Sequence, residues 1–142
     1  MRNYKTWYWT AVVFQTLTAG IHALSFLNDP QPANDSEKLL IDLMRNYRQN
    51  LAGSMVSMEE LLTALSACFS LVYLLGALVN GWLLRRTSDE TVLGGILVIN
   101  LVVFGAGFVI MAVYTFPPPI ILTGLVFFFL LLAAAVRKFS TR

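Results

Sequence analysis

At 142 residues the chain allows one domain, and with 57% hydrophobic and 13% charged residues it is too apolar for a soluble domain of that size. A formal charge of +2, with no basic run and no interleaved aromatic pattern, argues against nucleic acid as a partner. One cysteine, Cys68, excludes an internal disulfide, and no CxxC or Cys/His spacing points to a metal or a cofactor.

In chain order, Arg2 and Lys5 precede an apolar run that opens with Trp7, Tyr8 and Trp9. Such rings favour the membrane–water boundary, so the run reads as a first span over about 6–28. A basic start before an apolar core is also the grammar of a signal peptide, but no small-x-small site closes it. Gln15, Thr18, His22 and Ser25 share one helical face of this span. The prolines of Asn28–Ala33 end the helix. A second helix is expected over about 35–51, with Asp35 or Ser36 as its N-cap. Leu39, Leu40, Leu43, Met44, Tyr47 and Leu51 form its apolar stripe, opposite Glu37, Lys38, Asp42, Arg45 and Arg48. That pattern fits a short amphipathic helix on the membrane surface or one packed on a bundle end. Asn34-Asp35-Ser36 matches a glycosylation acceptor, a motif short enough to recur by chance.

The second span, about 57–84, starts with Glu59 and Glu60 and closes with Arg85 and Arg86. Glu59, Thr63, Ser66, Ser70, Tyr73, Ala77 and Asn80 are separated alternately by four and three residues, so they lie on one stripe. Lipid satisfies no hydrogen bonds, so such a stripe is expected to face other helices. After a polar turn, a third span is expected over about 91–116, with Asn100, Gly107 and Tyr114 on one face and Gly105 and Gly107 allowing close helix approach. Three prolines follow, then a fourth span over about 118–137. It is almost purely apolar, carries Phe127, Phe128 and Phe129, and is expected to face lipid. With four spans, seven of the ten Lys and Arg residues fall on one side: Arg2, Lys5, Arg85, Arg86, Arg137, Lys138 and Arg142. The positive-inside rule then puts both termini in the cytoplasm.

Helix rise converts this topology into depth. His22 stands roughly 22 Å beyond Trp7, at a level also expected for Glu59, Glu60 and Tyr114. These four are the ligand-binding candidates. Gln15 and Asn100 match at a second depth and, with Ser66, Ser70, Tyr73 and Asn80, form a polar seam. Two readings of the upper cluster stay open. A Glu–His pair could line a pocket and hold or transfer a proton. Equally, two acids at a helix start are favoured by the helix dipole, with His22 a satisfied interfacial side chain.

A lone histidine cannot supply two-histidine haem ligation. No zinc motif, nucleophile elbow or glycine-rich phosphate loop is present. No charge lies at mid-membrane, which argues against an ion-coupled transporter.

Gly20-Ile21-His22, Asp29-Pro30, Leu43-Met44, Gly53-Ser54-Met55 and Glu59-Glu60 together resemble a group of small bacterial four-span membrane proteins of unknown function. The resemblance covers about the first 85 residues and implies an architecture, not an activity. A more distant architectural likeness is to the four-helix family of sterol isomerases and sigma-2-type receptors, which suggests a ligand class.

The expectation is therefore an all-α, four-helix transmembrane antiparallel bundle with one short amphipathic helix, in a plasma or bacterial inner membrane. Its expected role is non-enzymatic: packing with a membrane partner or a second copy, or binding a lipid-like ligand near the outer leaflet. The alternatives are an enzyme acting on a lipid-like substrate, with Glu59 and His22 as acid and base and Tyr114 as donor, or, third, a small transporter.

Overall fold

The computed structural model describes residues 2–24, 26 and 30–140. The end of the first expected span (25 and 27–28), Asp29 and Arg142 lie outside the described residues. The elements are α1 (Arg2–Leu24), α2 (Asp35–Asn46), β1 (Arg48–Leu51), β2 (Ser54–Ser57), α3 (Met58–Arg86), α4 (Glu90–Tyr114) and α5 (Pro117–Ser140). Among the described residues, α3, α4 and α5 are long and apolar enough to cross a membrane. Their flanks carry large exposed aliphatic side chains, among them Leu71, Leu75, Leu78, Val98, Val102, Val109 and Ile121. In water such surfaces would be a liability; in hydrocarbon they are at rest.

The chain divides into two units, Met1–Ala19 with Val72–Arg142, and Gly20–Leu71. In the first, one stripe of each helix is closed. On α1 it is Tyr4, Tyr8, Ala11, Gln15 and Thr18; on α3, Tyr73, Ala77, Asn80 and Leu84; on α4, Leu93, Leu97, Asn100 and Phe104; on α5, Thr123, Val126, Leu130 and Ala133. All four follow the three-and-four spacing of a helix face.

Most of the fourth span stays unburied, as expected of a lipid-facing helix, but it also closes one stripe against its neighbours. Successive residues on a helix turn by about 100°, so Phe127, Phe128 and Phe129 cannot share a face. Phe128 is 51% exposed, whereas Phe129 stacks on Phe14 at 5.1 Å and on Trp7 at 6.0 Å between centroids. Phe127 and Phe108 stack at 5.9 Å, each ring lying over a glycine of the opposite helix. A Cβ on Gly105 would sit 2.8 Å from Phe127, and one on Gly124 would sit 3.1 Å from Phe108. Two aromatic knobs thus enter two glycine holes, the close approach that small residues permit in membrane helices. α5 starts at Pro117 because the first helical turn needs no N–H donor, and Thr123 satisfies its buried hydroxyl by donating to the Pro119 carbonyl at 2.8 Å.

In the second unit, Asn34 caps α2: its side chain accepts from the Glu37 N–H at 2.9 Å and donates to the Glu37 carboxylate at 3.1 Å. The helix expected over 35–51 ends at Asn46, and residues 48–51 are a strand instead. β1 and β2 pair antiparallel, Leu51 opposite Ser54, around the two-residue turn Ala52-Gly53. Both turn residues have positive φ, 51° and 89°, as a tight hairpin turn matched to strand twist requires. The apolar period through Tyr47 and Leu51 fits a helix, but pairing with 54–57 satisfies the same backbone groups.

Candidate functional site

The start of α3 is fixed by a capping box. The Ser57 hydroxyl accepts from the Glu60 N–H at 3.2 Å, and the Glu60 carboxylate accepts from the Ser57 N–H at 2.8 Å. This reciprocal pair satisfies donors that a helix start otherwise leaves open. Arg48 on the hairpin donates to Glu60 at 2.8 Å and to the Met55 carbonyl at 3.0 Å, and Arg45 at the end of α2 donates to Glu59 at 2.9 Å. Both acids are therefore held by arginines, in ion pairs exposed to solvent that add little to stability.

His22 packs edge-on against Phe69, 4.8 Å between ring centroids, and against Phe26 at 6.0 Å. Phe69 lies ten residues beyond Glu59 on α3, roughly 15 Å of helix rise, so the ring that meets His22 belongs to a deeper level than the acids. Tyr114, expected on an inward face, ends α4 with 81% of its surface exposed.

The second cluster of polar candidates lies in the first unit. Asn80 and Asn100 face each other as a reciprocal amide pair: Asn80 Nδ2 donates to Asn100 Oδ1 at 2.7 Å, and Asn100 Nδ2 donates to Asn80 Oδ1 at 2.9 Å. Gln15 joins from α1, accepting from Asn80 at 3.2 Å and donating to Asn100 at 3.4 Å. Tyr8 donates its hydroxyl proton to Asn80 Oδ1 at 2.8 Å and accepts from Asn100 at 3.3 Å. Asn100 also donates to the Ile96 carbonyl at 2.8 Å. The four side chains are all buried, and each donor has an acceptor within the same cluster or on α4. An amide is suited to this because it carries donors and an acceptor on one planar group. Further along α3, Ser70 donates to the Ser66 carbonyl at 3.2 Å, and the buried Tyr73 ring meets Phe104 at 4.9 Å. The stripe of α3 is thus buried from Ser70 to Leu84 and opens toward its start, where Ser66 is half-buried and Thr63 exposed.

A third cluster gathers at the other end of the first unit, around Glu90, which starts α4. Tyr4 donates to its carboxylate at 2.5 Å, Lys5 and Arg137 stand at 3.6 and 3.9 Å, and Arg137 donates to its carbonyl at 2.6 Å. The Arg137 guanidinium lies over Gly94, where any side chain would displace it. These contacts bring the starts of α1 and α4 to the same end as the close of α5, and Arg85, over the Trp9 ring at 5.4 Å, adds the close of α3.

Sequence reasoning placed Glu90 in a polar turn, Tyr8 in an interfacial belt and Arg137 among the charges of one membrane side, and it did not single out Tyr4. A signal was available for the tyrosines: Tyr4, Tyr8, Ala11, Gln15 and Thr18 continue one four-and-three stripe. Nothing local marked Glu90 as the acid two other helix ends would share.

Among the described residues no three His, Cys, Asp or Glu side chains come together as a metal site. What the geometry defines is a helical chain with three helices able to cross a membrane, compatible with a small membrane protein, whose inward polar groups are engaged with one another. Compared with protein-family models, with curated proteins and with solved structures, the chain matches none of them. The resemblance to small four-span proteins accordingly stands on its short segments alone.

Proposed function

We propose that this is a four-span, non-enzymatic integral membrane protein of a plasma or bacterial inner membrane, with both termini cytoplasmic. It packs with a membrane partner, or seats a lipid-like ligand, along the outer part of the polar seam. The observation that carries this reading is the contrast along α3. Tyr8, Gln15, Asn80 and Asn100 use up their hydrogen bonds on one another, which makes them a clamp. Toward the start of the helix Thr63 is exposed and flanked by the exposed Leu62 and Leu65, a face suited to another helix or to an acyl chain. α1 supplies the fourth span: it is 23 residues long, about 34 Å of rise, enough for a hydrocarbon core of about 30 Å.

The test is native mass spectrometry of the chain released from mild detergent. A stoichiometric second chain or lipid-like molecule is expected, lost in Thr63→Trp and kept in Asn80→Leu. A bare monomer, or an adduct indifferent to Thr63→Trp, would overturn the reading.

A further inference from the structure

A groove of about 620 Å³ runs between α1 and α3 in the first unit, a volume typical of small-molecule sites. Val12, Val13 and Leu17 line it from α1 and Leu78 from α3, and Gly81 lies where an added Cβ would touch Trp9 and Val12 at 3.6 Å. Its lining runs from Trp9 to Leu17 on α1 and from Ala77 to Arg86 on α3, a length of roughly 12–14 Å. That is close to one leaflet of a hydrocarbon core about 30 Å thick.

The mouth differs in character from the channel. Arg85 and Arg86 both line it and are both exposed. Trp9 holds the Arg85 guanidinium over its ring at 5.4 Å, and Trp82, 62% exposed, stands on the opposite rim as an interfacial anchor would. Lys5, Arg45, Arg48 and Arg137 each have a carboxylate within 4 Å. Among the described residues Arg85 and Arg86 form no such pair. The groove therefore presents two cations, neither paired within 4 Å with an acid among the described residues, above an apolar channel one leaflet long.

We propose that this groove is a binding site for an anionic phospholipid, with one acyl chain between α1 and α3 and the phosphate against Arg85 and Arg86. The inference rests on the four-span reading, since α1 and α3 must both lie in the bilayer. Excess positive charge at a cytoplasmic helix end has a generic origin in topology, but that origin requires neither a groove beneath the arginines nor a tryptophan holding one of them in place. A guanidinium also matches a phosphate by geometry as well as by charge.

The test is native mass spectrometry of the full chain titrated with phosphatidylglycerol or phosphatidylcholine of the same acyl chains. Phosphatidylglycerol is expected to bind preferentially, each arginine contributing about fivefold. Arg85→Gln with Arg86→Gln should abolish the preference while leaving residual binding of both lipids. Thr16→Phe, which places a ring in the channel from an exposed position, should abolish binding of both. Equal binding of the two lipids, a preference that survives loss of both arginines, or a dimer lost on Thr16→Phe would each overturn the proposal. Carbonate extraction of the source membranes reads the four-span placement separately. A chain that resists extraction but shows no lipid preference refutes the lipid site alone, and one that is extracted refutes the membrane reading first.

Discussion

Asn80 and Asn100 stand 20 residues apart in sequence, yet each gives its amide donor to the other's oxygen. Truncating either one breaks both bonds of the pair at once and leaves the other only its contacts to Gln15, Tyr8 and the Ile96 carbonyl, while removing both leaves neither amide half-satisfied. Asn80→Leu and Asn100→Leu should each lower stability in micelles by about 1–2 kcal/mol. The double variant should cost clearly less than their sum, because residues within one hydrogen-bond network are not additive. An SDS unfolding titration of the four proteins measures the cycle, and additive costs would mean that the pair does not act as a unit. At the same scale His22 and Glu59, matched by depth in the sequence, keep different company: an aromatic ring for one and an arginine for the other.

At the scale of elements, the α4–α5 pair shows how little area decides helix approach. Phe127 enters at Gly105 and Phe108 at Gly124, so a side chain on either glycine must push a ring aside. Gly105→Leu should cost about 1–3 kcal/mol as overpacking and lower the thermal midpoint in detergent. Gly95, whose added Cβ would meet nothing within 4 Å, should accept leucine with little effect. Equal sensitivity at both positions would remove the knob-and-hole account. The segment between α2 and α3 teaches the opposite lesson. Its apolar period favours a continued helix, but Tyr47 is extended at φ −76° and ψ 111°, and the Ala52-Gly53 turn lets 48–51 pair with 54–57. The hairpin also delivers Arg48 to Glu60, which a helix through 51 was not built to do.

For the whole molecule, orientation is the property that charge controls. The cluster around Glu90 brings Lys5 and Arg137 together, and the arginines that close α3 lie at the same end. Under the proposed orientation, with both termini cytoplasmic, a phosphatase reporter fused after Arg142 should be inactive and one inserted at Gln31 active, with the reverse for a fluorescent reporter that matures only in the cytoplasm. Active phosphatase at the carboxyl end would invert the placement and move the proposed lipid site to the other leaflet.

The amino-acid order by itself determined that long apolar helices form, three of them able to cross a membrane, roughly where they start and stop, and which stripe of α1 and α3 is hydrophilic. Those properties depend on local hydropathy and on a fixed 100° turn per residue, so spacing alone reveals them. The three-dimensional structure decided the rest: that Tyr8, Gln15, Asn80 and Asn100 share one cluster, that Glu90 collects Tyr4 and Arg137, and that α5 hides a face behind Phe127 and Phe129. These pairings join residues up to 92 positions apart. They depend on how each helix is rotated about its axis, which packing against neighbouring helices sets and no single segment encodes.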